Sequence, residues 1–107
     1  MFGNTQDSMK IKISEVIGPD LATRKGCDNL FDMIEKSQEK NFVIDFSGVI
    51  SISRSFAHQY TKRKQLSSKT ISEVEVSDMV RKMMDLVKQH SNTIQYKNID
   101  KVINIKL

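Results

Sequence analysis

The stretch Phe42 to Ser55, FVIDFSGVISISRS, decides the fold. It opens with an apolar run, Phe42-Val43-Ile44, interrupted by one acid at Asp45 and resumed at Phe46. A short run rich in aromatic and β-branched residues reads as a strand buried on both faces. Ser47-Gly48 signals a turn. Val49, Ile50 and Ile52 predict a return under cover, and the chain emerges at Ser53-Arg54-Ser55, directly before a helical segment. In open α/β sheets, ligands and partners gather at the carboxyl ends of the strands, where this helix begins.

The flanks repeat the alternation of strand and helix. Met9 to Val16 places Met9, Ile11 and Ile13 on one face and Lys10, Lys12 and Ser14 on the other, the period of a half-exposed edge strand. Gly18-Pro19-Asp20 ends it. From Thr23, a suitable N-cap, to about Lys40 the period becomes helical, with Cys27, Leu30, Phe31 and Ile34 as the buried stripe. Gly26 weakens that helix and leaves room for a neighbouring strand.

A second helix spans Arg54 to Leu66, with a thin apolar face of Phe56, Ala57 and Tyr60 and a basic end, Lys62-Arg63-Lys64. Those lysines suit the helix dipole; Arg54, at the opposite end, does not, and calls for Asp45 or an anionic partner to offset it. Ile71 to Val76 reads as a third strand, with Val74 and Val76 inside and Glu73 and Glu75 outside. Ser77 caps a third helix whose stripe is Met79, Val80, Met83, Met84 and Val87, reaching about His90. The methionines read as core rather than as an adaptable groove. Val102, Ile103, Ile105 and Leu107 suggest a closing strand. The order is β-α-β-α-β-α-β, which predicts an α/β domain with a mixed or mostly parallel sheet and about three helices.

The 107 residues suit one domain, residues 9–107, behind a flexible leader, residues 1–8. The net charge of +4 permits an acidic partner without demanding nucleic acid. Cys27 is the single cysteine, so no intrachain disulfide or cysteine-rich zinc site can form. No signal-peptide core or membrane-length apolar run is present, so a cytoplasmic protein without membrane contact is expected. No internal repeat is evident in the sequence.

The chemistry is sparse. The four glycines make no phosphate loop, and His58 and His90 lack ligand spacing, so neither a metal nor a cofactor is expected. Ser55 and His58, with Ser53 and Asp45 nearby, invite a nucleophile–base reading. A serine at a helix start is more often a cap, and no catalytic residue is assigned. The basic end of the second helix lacks an aromatic stacking motif, which makes binding of nucleic acid or an anionic ligand the weaker alternative, through Arg54, Lys62, Arg63 and Lys64.

The segment VIDFSGVISISRSFAHQY, with GPDLATRKGCDNL before it, resembles the core of the STAS-like family of unknown function. That family is distantly related to STAS domains, the anti-sigma factor antagonist fold. The resemblance covers roughly residues 9–90 and includes Arg24, matching an arginine that opens the family's first helix. It implies a compact, non-enzymatic signalling or regulatory module. Such a module would bind a protein partner, an ATP-binding protein of the histidine-kinase type, through the start of its second helix.

Related antagonists are switched by phosphorylation of a serine that follows an aspartate. Here Ser53 occupies the aspartate position, Arg54 the phosphoserine position and Ser55 the following serine. Ser53 and Ser55 are therefore the candidate phosphorylation sites. The acidic pair that follows Phe-Ala in the family is replaced by His58 and Gln59. Both changes make the helix start more positive, implying a partner surface less basic than the family norm. The expected contact residues are Ser53, Arg54, Ser55, His58 and Lys62, and an edge strand could pair two copies into a homodimer.

Overall fold

The computed structural model describes residues 8–88. In chain order these form β1 (Ser8–Lys12), α1 (Ile13–Val16), β2 (Asp20–Leu21), α2 (Arg24–Lys36), β3 (Asn41–Asp45), β4 (Ser51–Ile52), α3 (Arg54–Leu66) and β5 (Thr70–Val74). Residues 78–88 follow as a helix, α4. Residues 1–7 of the expected leader, the helix end near His90 and the closing strand at residues 102–107 lie outside the described residues.

The main sheet has the order β1-β3-β5 and is parallel throughout. β2 and β4 form a separate two-residue parallel ladder. The described residues thus form an α/β domain with a parallel sheet of three strands, as the alternating pattern predicts. β3 lies between its neighbours, with Phe42 opposite Met9 and Ile71, and Ile44 opposite Ile11 and Glu73.

Side chains alternate across a strand, so Phe42, Ile44 and Phe46 share the face that α2 and α3 cover. All three are buried. Cys27, Leu30, Phe31 and Ile34 of α2 and Phe56, Ala57 and Tyr60 of α3 pack into the same core. Each large side chain there contributes about 1.5–3 kcal/mol of burial before entropy. Tyr60 lies at the centre of the aromatic packing. Its ring meets Phe31 edge-on at 5.3 Å and Phe46 edge-on at 5.8 Å, and stacks on Phe56 at 6.5 Å. Burial of Cys27 pushes its thiol up to about 12, which keeps it a protonated core residue.

Five local expectations need correction. First, β1 begins at Ser8, inside the expected leader, and ends at Lys12; Ile13 to Val16 turn into one helical turn. Ile13 still reaches the core, but from α1.

Second, α2 ends at Lys36 rather than Lys40, because Ser37 turns extended and its hydroxyl accepts from Glu39 N. Third, Gly26 does not face a strand. A Cβ there would meet Thr23 Oγ1 at 3.2 Å and Ile17 Cγ2 at 3.5 Å, so the glycine accommodates the cap and the loop before β2.

Fourth, Ile50 does not return under cover but is 69% exposed, while Ile52 is buried. Its backbone N–H donates to Pro19 O at 2.8 Å, which fixes the loop without burying the side chain.

Fifth, β5 presents the opposite face from the one its alternation suggests. Ile71 and Glu73 point to the helices, and Val74 is exposed. Glu73 is accommodated because Tyr60 and Lys64 donate to it, and Glu75, at φ 56°, then breaks the alternation before Val76 packs against the core.

The turn after β3 is tightly specified. Asp45 Oδ1 accepts from Ser47 N at 2.8 Å, and Ser14 Oγ donates to Ser47 O at 3.0 Å. Gly48 has φ +83°, and a Cβ there would sit 2.9 Å from Ser14 Oγ. Gly48→Ala should therefore cost at least about 1–2 kcal/mol in urea unfolding, from backbone strain alone. Unchanged stability would mean that this turn is free to relax.

The hydrogen bond from Ser47 N holds the Asp45 carboxyl below its ordinary value of 3.8. A carboxyl lowered in the folded state adds stability above its unfolded range and loses it as pH falls through the folded value. Asp45→Asn should flatten the loss of stability below about pH 4, read from unfolding curves across acid pH.

Candidate functional site

The start of α3 is fixed from beneath by Ser53. Its N–H donates to Leu21 O at 2.8 Å. Its hydroxyl donates to Ala22 O at 2.8 Å and accepts from Phe56 N at 3.0 Å. One side chain therefore caps α3 and ties it to the segment entering α2. Thr23 caps α2 in the same way, accepting from Gly26 N at 3.0 Å, and Ser77 accepts from Val80 N at the start of α4.

With Ser53 engaged below, Arg54 and Ser55 stand exposed on the first turn. Arg54, His58 and Lys62 follow at four-residue spacing and share one side of the helix. Arg54 and Lys62 are exposed and His58 is half-buried; Leu66, 73% exposed, ends the row. The five residues expected at the partner surface thus lie on one helix, with Ser53 as its anchor rather than part of its outer row.

The expected offset of Arg54 by Asp45 is not found. Asp45 is engaged by Ser47 N and lies 3.9 Å from Lys10, and among the described residues Arg54 makes no ion pair. Neither α2 nor α3 has an acid in its first turn. The two helices run side by side in the same direction, since Ser53 reaches Ala22, Gln59 reaches Asp28 and Arg63 reaches Asp32. Two positive helix ends, with the exposed Arg24, Lys25 and Arg54 upon them, therefore lie side by side.

The basic end of α3 is a different environment. Arg63 donates to Asp28 Oδ1 at 2.8 Å and Asp32 Oδ1 at 3.1 Å, with its guanidinium 5.5 Å from the Phe31 ring centre. Hydrogen bonds from Gln59 and Arg63 lower the Asp28 carboxyl. Lys64 donates to both oxygens of Glu73, at 3.0 and 2.9 Å, and Tyr60 Oη donates to the same carboxylate at 2.7 Å. Burial first, and then the Glu73 charge, raises the Tyr60 hydroxyl well above its ordinary value.

Arg63 and Lys64 are thus structural. The acids Asp28, Asp32 and Glu35 of α2, against Gln59 and Arg63 of α3 and its C-cap Ser67, form matched rows once the two helices lie side by side.

No hydrogen bond joins Ser55 to His58, and the Ser53 hydroxyl already has both a donor and an acceptor role. Among the described residues no three His, Cys, Asp or Glu side chains gather as a metal site. None of their helices is long and apolar enough to cross a membrane. The class that emerges is an α/β domain displaying a helix start at the carboxyl edge of a parallel sheet. No family model, curated protein or solved structure matches the chain.

Two predictions follow from this geometry. Ser53→Ala should destabilise the fold by about 1–2 kcal/mol, as a lost cap does, whereas Ser55→Ala should stay within about 0.5 kcal/mol. Equal effects in thermal unfolding would remove the distinction between anchor and displayed residue. Glu73→Leu should cost about 1–3 kcal/mol by stranding Tyr60 and Lys64. The triple change Glu73→Leu, Tyr60→Phe, Lys64→Met should recover much of that loss.

Proposed function

We propose that this domain is a non-enzymatic, STAS-like regulatory module that binds a protein partner through the first two turns of α3. The observation that carries the reading is the row of exposed Arg54, half-buried His58 and exposed Lys62, with exposed Ser55, anchored by the Ser53 cap and free of intramolecular ion pairs among the described residues. A cation at a helix N-terminus costs stability unless something anionic meets it. Arg54 is therefore poorly placed for the isolated domain and well placed for a complex with an acidic surface.

The partner class, a histidine-kinase-type ATP-binding protein, rests on the sequence resemblance alone. Ser55 is the better candidate for phosphorylation, because a phosphate on Ser53 would remove the cap. A phosphate on Ser55 would stand beside Arg54 and at the favourable end of the dipole. Pairing of two copies through the β1 edge is less favoured, since Lys10 and Lys12 lie on that strand and such residues discourage edge pairing. The nucleic-acid alternative keeps only Arg54 and Lys62 of its four cations, the other two being held by acids.

The test is capture of an ATP-binding protein from the source organism on the immobilised domain. Arg54→Glu should abolish it while raising stability slightly, by about 0.3–1 kcal/mol, because an acid suits that end of the helix. Undiminished capture by Arg54→Glu would remove the assignment. Binding of labelled DNA or RNA that weakens steeply with salt would favour the alternative instead.

A further inference from the structure

Arg54, His58, Lys62 and Leu66 form one continuous ridge along α3, at the four-residue spacing by which helices pack into each other's grooves. The ridge runs past the two turns assigned above: Lys62 lies about 12 Å along the helix from Arg54, and Leu66 about 18 Å. The side chains beside it are short or folded down. Towards α2, Gln59 donates to Asp28, Arg63 to Asp28 and Asp32, and Ser67 to Glu35. On the other flank Ala57 is buried and the Thr61 hydroxyl donates back to Ala57 O at 2.9 Å; of that row, Gln65 alone is exposed. The ridge therefore stands clear of both flanks over most of its length.

Its chemistry changes along its length. No acid occurs between Ser47 and Ser72, and among the described residues neither Arg54 nor Lys62 makes an ion pair. Lys62 acts on Asp28 only at longer range, because that carboxylate is already held by Gln59 and Arg63. The ridge is thus cationic over its first three positions, where the positive end of the helix adds to the charge. It ends in an apolar side chain, Leu66, 73% exposed, which adds nothing to the core of the domain.

We propose that this ridge docks against an acidic amphipathic helix of the partner, with carboxylates on Arg54 and Lys62 and an apolar side chain on Leu66. The inference rests on the partner-binding reading above and extends it, giving the partner's surface a shape and a charge pattern. A straight ridge with lowered flanks fits the groove of a second helix, and its two unpaired cations call for acids about two turns apart. Leu66 then supplies the apolar contact that a purely ionic, solvent-exposed surface lacks.

A photo-crosslinking residue in place of Leu66 of the full-length chain, with the exposed Met33 of α2 as control position, tests it in cells of the source organism. Products from position 66, identified by mass spectrometry, should contain a net-negative protein segment whose acids and apolar residues repeat at helical spacing. Position 33 should give none. Reversing those acids to lysine should abolish capture by the unaltered domain and restore it to Arg54→Glu with Lys62→Glu. Leu66→Ser should weaken capture about tenfold with thermal unfolding unchanged. If Arg54→Glu abolishes capture and Leu66→Ser leaves it intact, the ridge inference falls and the partner reading stands; if neither variant matters, both fall. A cross-linked segment that is basic or lacks helical spacing would overturn the proposal, as would products with phospholipid alone or no product.

Discussion

Parallel pairing of β3 with both of its neighbours is the constraint from which the rest of the architecture descends. Two parallel strands cannot be joined by a tight turn; the chain must cross back over the sheet before the next strand can begin. The crossover between β1 and β3 carries α1, β2 and α2, and the one between β3 and β5 carries β4 and α3. Each helix therefore starts at the carboxyl edge of the sheet. The positive ends of α2 and α3 come together there through backbone geometry, before any side chain is considered.

Side chains then decide what that edge displays. The ladder between β2 and β4 pairs Asp20 with Ser51 and Leu21 with Ile52, an offset of 31 residues. The same offset recurs from Ala22 to Ser53, from Asp28 to Gln59 and from Asp32 to Arg63. One continuous seam thus joins the two β-loop-α units from strand to helix. It draws Arg63 inward and leaves Arg54, His58 and Lys62 outside. The cations of α3 divide by direction: those facing α2 or β5 are bonded within the fold, and those facing away are available to another molecule.

The sequence made the central strand legible because Phe42, Ile44 and Phe46 are apolar and surrounded by turn signals. It made α3 legible to both ends because serine flanks it at Ser53 and Ser67, and the Ser53 side chain does cap it. The misread elements are those decided by distant partners. Glu73 looked solvent-facing, and only the arrival of Lys64 and Tyr60 makes its inward position tolerable. Ile50 looked buried because apolar residues usually are, yet its bond to Pro19 holds it in the open. The repetition of β-loop-α units is likewise hidden, since it is a repetition of register and caps rather than of residues. The candidate site residues were picked out by their place at a helix start, while the separation of Arg54 and Lys62 from Arg63 and Lys64 required knowing where α2 lies.

The central claim is that the outer row of α3 is a surface built for contact. Hydrogen exchange of the domain, free and with its captured protein partner, measures this directly. The account predicts new protection of amides concentrated between residues 50 and 62, with β1 and the outer side of α4 unchanged. Protection confined to β1 or α4, with the start of α3 exchanging as in the free domain, would contradict it.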